Sequence, residues 1–205
     1  MLMSKLELKF KKLLNEFRSN SYELQYVNEI LTDANQEFNN YRDNFIERKR
    51  VRLEKLNEKH SKRLKQIFSP PSKQKIKKIK EYKKSRFNSK KVFREMAKKF
   101  HPDTLPLDDP RHQEYSDIFQ KTTNAIDEGN WGELFNLVEK YDIKMDDYVG
   151  AISCLELDIA EIKSEINSKK NSYAWLIYHA DSCVEKERLM KAFLNQVYIN
   201  YTDPS

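Results

Sequence analysis

The sequence predicts an all-α protein, and three observations carry that prediction. Only 3 glycines and 6 prolines occur in 205 residues, so little interrupts a helical backbone. Apolar residues recur at alternating spacings of three and four through both terminal thirds, the period of a helix and not of a strand. The interruptions that do occur coincide with proline, glycine or capping residues, where helices are expected to stop and start.

Taken in order, the first element is a helical stripe through Met3, Leu6, Phe10, Leu13, Phe17, Asn20, Leu24, Val27, Leu31, Ala34, Phe38, Tyr41 and Phe45. The alternating spacing defines a coiled-coil seam, with Asn20 as the polar seam position suited to setting register. The rhythm slips by one residue and resumes over Leu53 to Ile67 with His60 on the seam, and Ser69-Pro70-Pro71-Ser72 ends it; residues 1–68 are thus expected to form an N-terminal coiled-coil helix.

A central module, 73–141, follows. Its first helix, Lys73 to Phe87, has Ile76, Ile79, Tyr82 and Phe87 as its apolar side. The next helix begins at Ser89 as N-cap and places Val92, Phe93, Met96, Ala97 and Phe100 on one face, with Lys91, Arg94 and Lys98 opposite and Lys99 beside them; Pro102 ends it. Asp109 as N-cap and Pro110 at the first helical position open a helix that buries Tyr115, Ile118, Phe119, Thr122, Ala125 and Ile126, and Gly129 supplies its left-handed cap. Asn130 and Glu133 then form a capping-box-like start for a helix carrying Trp131, Leu134, Phe135 and Val138.

The last element, 148–201, continues the seam from Tyr148 through Ile152, Leu155, Ile159, Ile162 and Ile166 to Tyr201, with a break expected at 167–172, where NSKKNS is a poor helix former. Two amphipathic arms of similar length satisfy each other's seams by packing as an antiparallel coiled coil with the module at the tip. The rival arrangements are a C-terminal segment folded at 167–172 into a three-helix bundle, and a parallel homodimer, so the chain is a monomer or a homodimer.

Charge is concentrated. The formal net is +6, yet Lys73 to Lys99 holds 13 basic residues against Glu81 and Glu95, a local +11 that leaves the rest of the chain at −5. Such a segment meets something anionic. Cys154 and Cys183 lie far apart without a metal-ligand spacing, and both are expected to be buried thiols in a reducing compartment. No apolar run approaches the roughly 18 residues of a membrane span, and the N-terminus lacks a signal peptide, so a cytoplasmic protein without membrane contact is expected. His101 and Asp103 have no nucleophile beside them, and His60, His112 and His179 are scattered. Neither an enzyme nor a cofactor is implied.

The run FREMAKKFHPD, followed by Phe119-x-x-Thr122-x-x-Ala125-Ile126, resembles the J-domain of DnaJ-type co-chaperones. That family carries an aromatic-Arg-x-x-Ala-x-x-aromatic-His-Pro-Asp run and then Phe-x-x-Ile-x-x-Ala-Tyr on the next helix. Phe93, Arg94, Ala97, Phe100, His101, Pro102, Asp103, Phe119 and Ala125 match position by position. The continuation NAIDEGNWGELFNLVEKY is similar to small bacterial J-domain proteins. Departures are the absence of the Asp-Tyr-Tyr-x-x-Leu-Gly opening from KIKKIKEYKKSRF, Thr104 in place of a common lysine, Thr122 in place of isoleucine and Ile126 in place of tyrosine.

The resemblance implies an antiparallel hairpin that presents His101-Pro102-Asp103 to a DnaK-type heat-shock chaperone and stimulates its ATP hydrolysis. Lys91, Arg94, Lys98 and Lys99 would meet an acidic face of that partner, and the arms would serve a client, a complex or self-association. The alternative partner is nucleic acid, its phosphates laid along the basic segment 73–99, in which Tyr82 and Phe87 are interleaved.

Overall fold

Ser4 begins the first helix by accepting the Glu7 amide on its Oγ at 3.2 Å, which satisfies one of the N–H groups a helix start leaves open. From there α1 runs unbroken over Lys5–Lys49. The computed structural model describes residues 4–49 and 87–198. The expected seam from Leu53 to Ile67, the Lys73 to Arg86 part of the next helix, and Tyr201 lie outside the described residues.

Among the described residues the protein is all-helical, with α2 over Lys90–Phe100, α3 over His112–Glu128, α4 over Trp131–Lys140, α5 over Tyr148–Lys170, α6 over Tyr173–Tyr178 and α7 over Cys183–Val197. Most starts are capped by a short polar side chain. Asp147 accepts the Gly150 amide at 2.8 Å before α5, Ser172 accepts Trp175 at 3.3 Å before α6, and Ser182 accepts Glu185 at 3.2 Å before α7. Gly129, at φ 68°, ends α3 in the left-handed region, and Asn130 accepts the Glu133 amide to start α4, both as expected.

The described residues divide into two compact units, 4–21 with 87–162 and 22–49 with 163–198. In the first, Phe10, Leu14 and Phe17 of α1 share one apolar core with Val92, Met96 and Phe100 of α2, Ile118 and Ala125 of α3, the inner face of α4 and Ala151 to Ile159 of α5. Phe10 packs edge-on against both Phe135 and Tyr148 at 5.3 and 5.6 Å. Phe17 presses its ring on Gly132, whose amide donates to the buried carboxylate of Asp158 at 2.8 Å.

Within the first unit these contacts do not bear out the expected antiparallel packing. Position 10 of α1 meets the start of α5, and position 17 meets the Gly132–Asp158 contact ten residues further along it, so the two helices ascend together. Amphipathicity fixes which face of a helix is buried and carries no information about direction. Asn20 also departs from expectation, because its amide donates to the Glu16 carbonyl of its own helix at 2.7 Å rather than across a seam.

In the second unit, Ala34, Phe38 and Phe45 of α1 pack with Ala174 and Ile177 of α6 and Met190 and Leu194 of α7. The break expected at 167–172 falls after Lys170, and a second one, at His179–Ser182, was not expected. There α7 packs against α1: Phe193 meets Phe38 at 4.9 Å, and at its start Glu187 binds Lys49 at 3.1 Å and Lys186 binds Glu37 at 2.8 Å. The second break also shifts the stripe. Cys154 is buried, whereas Cys183 stands exposed at the first position of α7, against the expectation of two buried thiols. No described helix is long and apolar enough to cross a membrane.

Candidate functional site

The residue before a proline is pushed out of the helical region, and His101 leaves α2 at φ −62°, ψ 132° for that reason. Its amide still donates to Ala97 at 2.9 Å, so the turn starts from a closed helix end. Pro102–Thr104 then form one 3-10 turn, in which the Thr104 amide and hydroxyl both donate to the His101 carbonyl, at 2.9 and 2.6 Å. Thr104, one of the departures from the J-domain pattern, thus ties the turn down.

Two contacts hold the His101 ring. Its Nδ1 accepts the Asp103 amide at 3.3 Å, and its edge packs on Phe119 at 4.9 Å. Phe119 in turn meets Phe93 at 5.8 Å, while Phe100 meets Tyr115 at 5.1 Å. Positions rising along α2 from 93 to 100 face positions falling along α3 from 119 to 115, so the two helices form an antiparallel hairpin. The side chain of Asp103 is 88% exposed, and its Oδ2 lies 3.5 Å from the imidazole. The tripeptide therefore offers a carboxylate to solvent from a turn whose histidine is fixed by the hairpin.

Met96, Phe100 and Ala125 are buried, with Phe93, Ala97 and Phe119 half-buried. Thr122, which replaces an isoleucine of the J-domain pattern, is fully buried and donates its hydroxyl to the Ile118 carbonyl at 2.9 Å, so its polarity is absorbed within α3. Ser89 holds the N-cap position of α2 without a side-chain bond; Asn88 instead accepts the Lys90 amide at 3.3 Å.

The far end of the loop differs by two residues from expectation. α3 starts at His112, not at Pro110, because Arg111 folds back on Asp109. Asp109 Oδ1 accepts the Arg111 amide at 2.8 Å, and the guanidinium closes on the carboxylate at 3.0 and 2.8 Å. That hydrogen-bonded guanidinium, with the amide behind it, lowers the Asp109 carboxyl to about 2.

On the outer face of α2, Lys91, Arg94, Lys98 and Lys99 are all exposed. Their surroundings differ. Lys91 pairs with Asp146, Lys98 pairs with Glu95 at 2.8 Å, and Lys99 donates to the Tyr141 carbonyl at 2.7 Å, while Arg94 makes no ion pair among the described residues. The involvement of Tyr141 and Asp146 was not foreseen, since they lie 42 and 55 residues from their lysine partners. Of the two aromatics interleaved in the basic segment, Phe87 is 3% exposed and packs on Trp131 and Phe135, so its ring is not offered to a ligand; Tyr82 lies outside the described residues.

The assembled groups are an exposed carboxylate, a fixed imidazole and a row of cations, which suit recognition of a charged protein surface. No group of three or more His, Cys, Asp or Glu residues is placed to hold a metal among the described residues. Against protein-family models, curated proteins and solved structures, the chain finds no match, and the site stands on its own geometry.

Proposed function

We propose that the protein is a J-domain-type co-chaperone, which binds a DnaK-type heat-shock chaperone in the cytoplasm through the His101-Pro102-Asp103 turn and the basic face of α2 and stimulates its ATP hydrolysis. The observation that carries this reading is the pairing of opposites in one tripeptide: His101 is locked on Phe119, while the Asp103 carboxylate two residues on projects into solvent. A docking contact needs both, a rigid base and a free acceptor.

Asp103 accepts charge-assisted hydrogen bonds from an arginine of the partner, worth ~1.5–3 kcal/mol once desolvated. Arg94, together with the lysines of α2, steers the encounter with an acidic surface. The chemistry of ATP hydrolysis belongs to the partner, and the role of this chain is to bind. The helices outside the hairpin serve a client, a complex or self-association.

Single-turnover ATP hydrolysis by the DnaK-type chaperone tests the reading. Wild-type protein is expected to accelerate it, and Asp103→Asn to require about ten- to a hundredfold more protein for the same acceleration, the equivalent of the lost contact. Acceleration that is indifferent to the substitution rejects the proposal.

A further inference from the structure

The connection between α4 and α5, Tyr141 to Asp147, runs beside the flank of α2 that carries Lys91 and Lys99. Its anchors are apolar: Met145 is buried, Ile143 packs on the same core and donates its amide to the Val138 carbonyl at 2.9 Å, and the Tyr141 ring meets Phe100 at 4.7 Å. Its polar groups face outward and take the cations of α2. Asp146 pairs with Lys91 and the Tyr141 carbonyl accepts Lys99, while Asp142 and Lys144 line an open cleft with Lys98 and Lys99.

We infer that this connection is an intramolecular competitor for the basic docking face, holding Lys91 and Lys99 until acidic groups of the partner take over those two cations. The inference rests on the co-chaperone reading and adds a regulatory contact to that same site. Two features separate a competitor from a structural brace. The Lys91 and Asp146 side chains are 57% and 68% exposed, so exchanging one carboxylate for another exposes no core. The anchoring is supplied by Ile143, Met145 and Tyr141, so the segment keeps its place when the charges let go. Competition of this kind makes docking weaker than the number of cations implies, and it is screened by salt.

The test is the affinity of the full chain for the ATP-bound DnaK-type chaperone at low and high ionic strength, with single-turnover hydrolysis run in parallel. Asp146→Asn frees Lys91 and is expected to tighten binding about 1.5- to 5-fold at low salt, the range of an exposed ion pair, with the gain fading at high salt. In a Lys91→Gln background the same substitution is expected to change nothing.

Asp117→Asn removes an equal charge from an exposed position of α3 without touching Lys91, since that carboxylate accepts from Gln113 of its own helix at 2.8 Å. No tightening by Asp146→Asn, equal tightening by Asp117→Asn, or a gain that survives in the Lys91→Gln background overturns the inference while leaving the co-chaperone reading intact. Absence of any stimulation by the wild type rejects that reading, and the inference with it.

Discussion

Gly132 carries a packing requirement that its helical position conceals. A Cβ there would overlap the ring of Phe17, so the first turns of α1 sit against α4 only because this residue has no side chain. Alanine normally gains up to ~1 kcal/mol over glycine in a helix, whereas forcing a methyl group into a filled core costs ~1–3 kcal/mol. Gly132→Ala is therefore expected to destabilise the protein by about 1–2 kcal/mol, read as a lowered denaturation midpoint, and to cost less in a Phe17→Leu background. At the same scale, the sequence disclosed most core positions and misplaced a few. Leu14, off the expected seam, is fully buried because α1 meets α4 and α5 together, which widens the buried stripe beyond a two-helix seam, while Leu6, on that seam, is exposed.

Among elements, the start of α3 depends on a single ion-paired turn. The Asp109 carboxyl titrates near 2 in the folded protein and in the ordinary carboxylate range, ~3.9, when unfolded. A depressed carboxyl stabilises the fold above its unfolded value, and that contribution is lost as pH falls toward the folded one. The stability difference between wild type and Asp109→Asn is thus expected to hold above about pH 4 and to shrink between about pH 4 and 2, followed by equilibrium unfolding across that range. Helix boundaries were legible wherever a cap or breaker stood alone, as at Pro102, Gly129 and Asn130. The break before α7 was missed although Ser182 and Glu185 carry the capping-box spacing, because the apolar rhythm runs on through Ala180 and Cys183 and masks it.

At the scale of the whole molecule, the all-helical character of the described residues was legible and the direction of α5 was not. Stripes of apolar residues report a buried face, and the choice between α5 ascending and descending along α1 is made by long-range contacts such as Phe10 with Tyr148 and Gly132 with Asp158. The candidate site divides in the same way. His101, Pro102, Asp103 and the aromatic pair Phe93 and Phe119 were visible as a motif within 27 residues. Tyr141 and Asp146, which complete the basic face, belong to a later segment and become its neighbours only through folding.

Docking through that face is the central claim, and NMR mapping of isotope-labelled protein titrated with the ATP-bound DnaK-type chaperone tests it most directly. The expected result is loss of amide signal concentrated on Lys91 to Thr104, weakened by Asp103→Asn and by added salt. Signal loss confined to α6 and α7, or none at all, would contradict it.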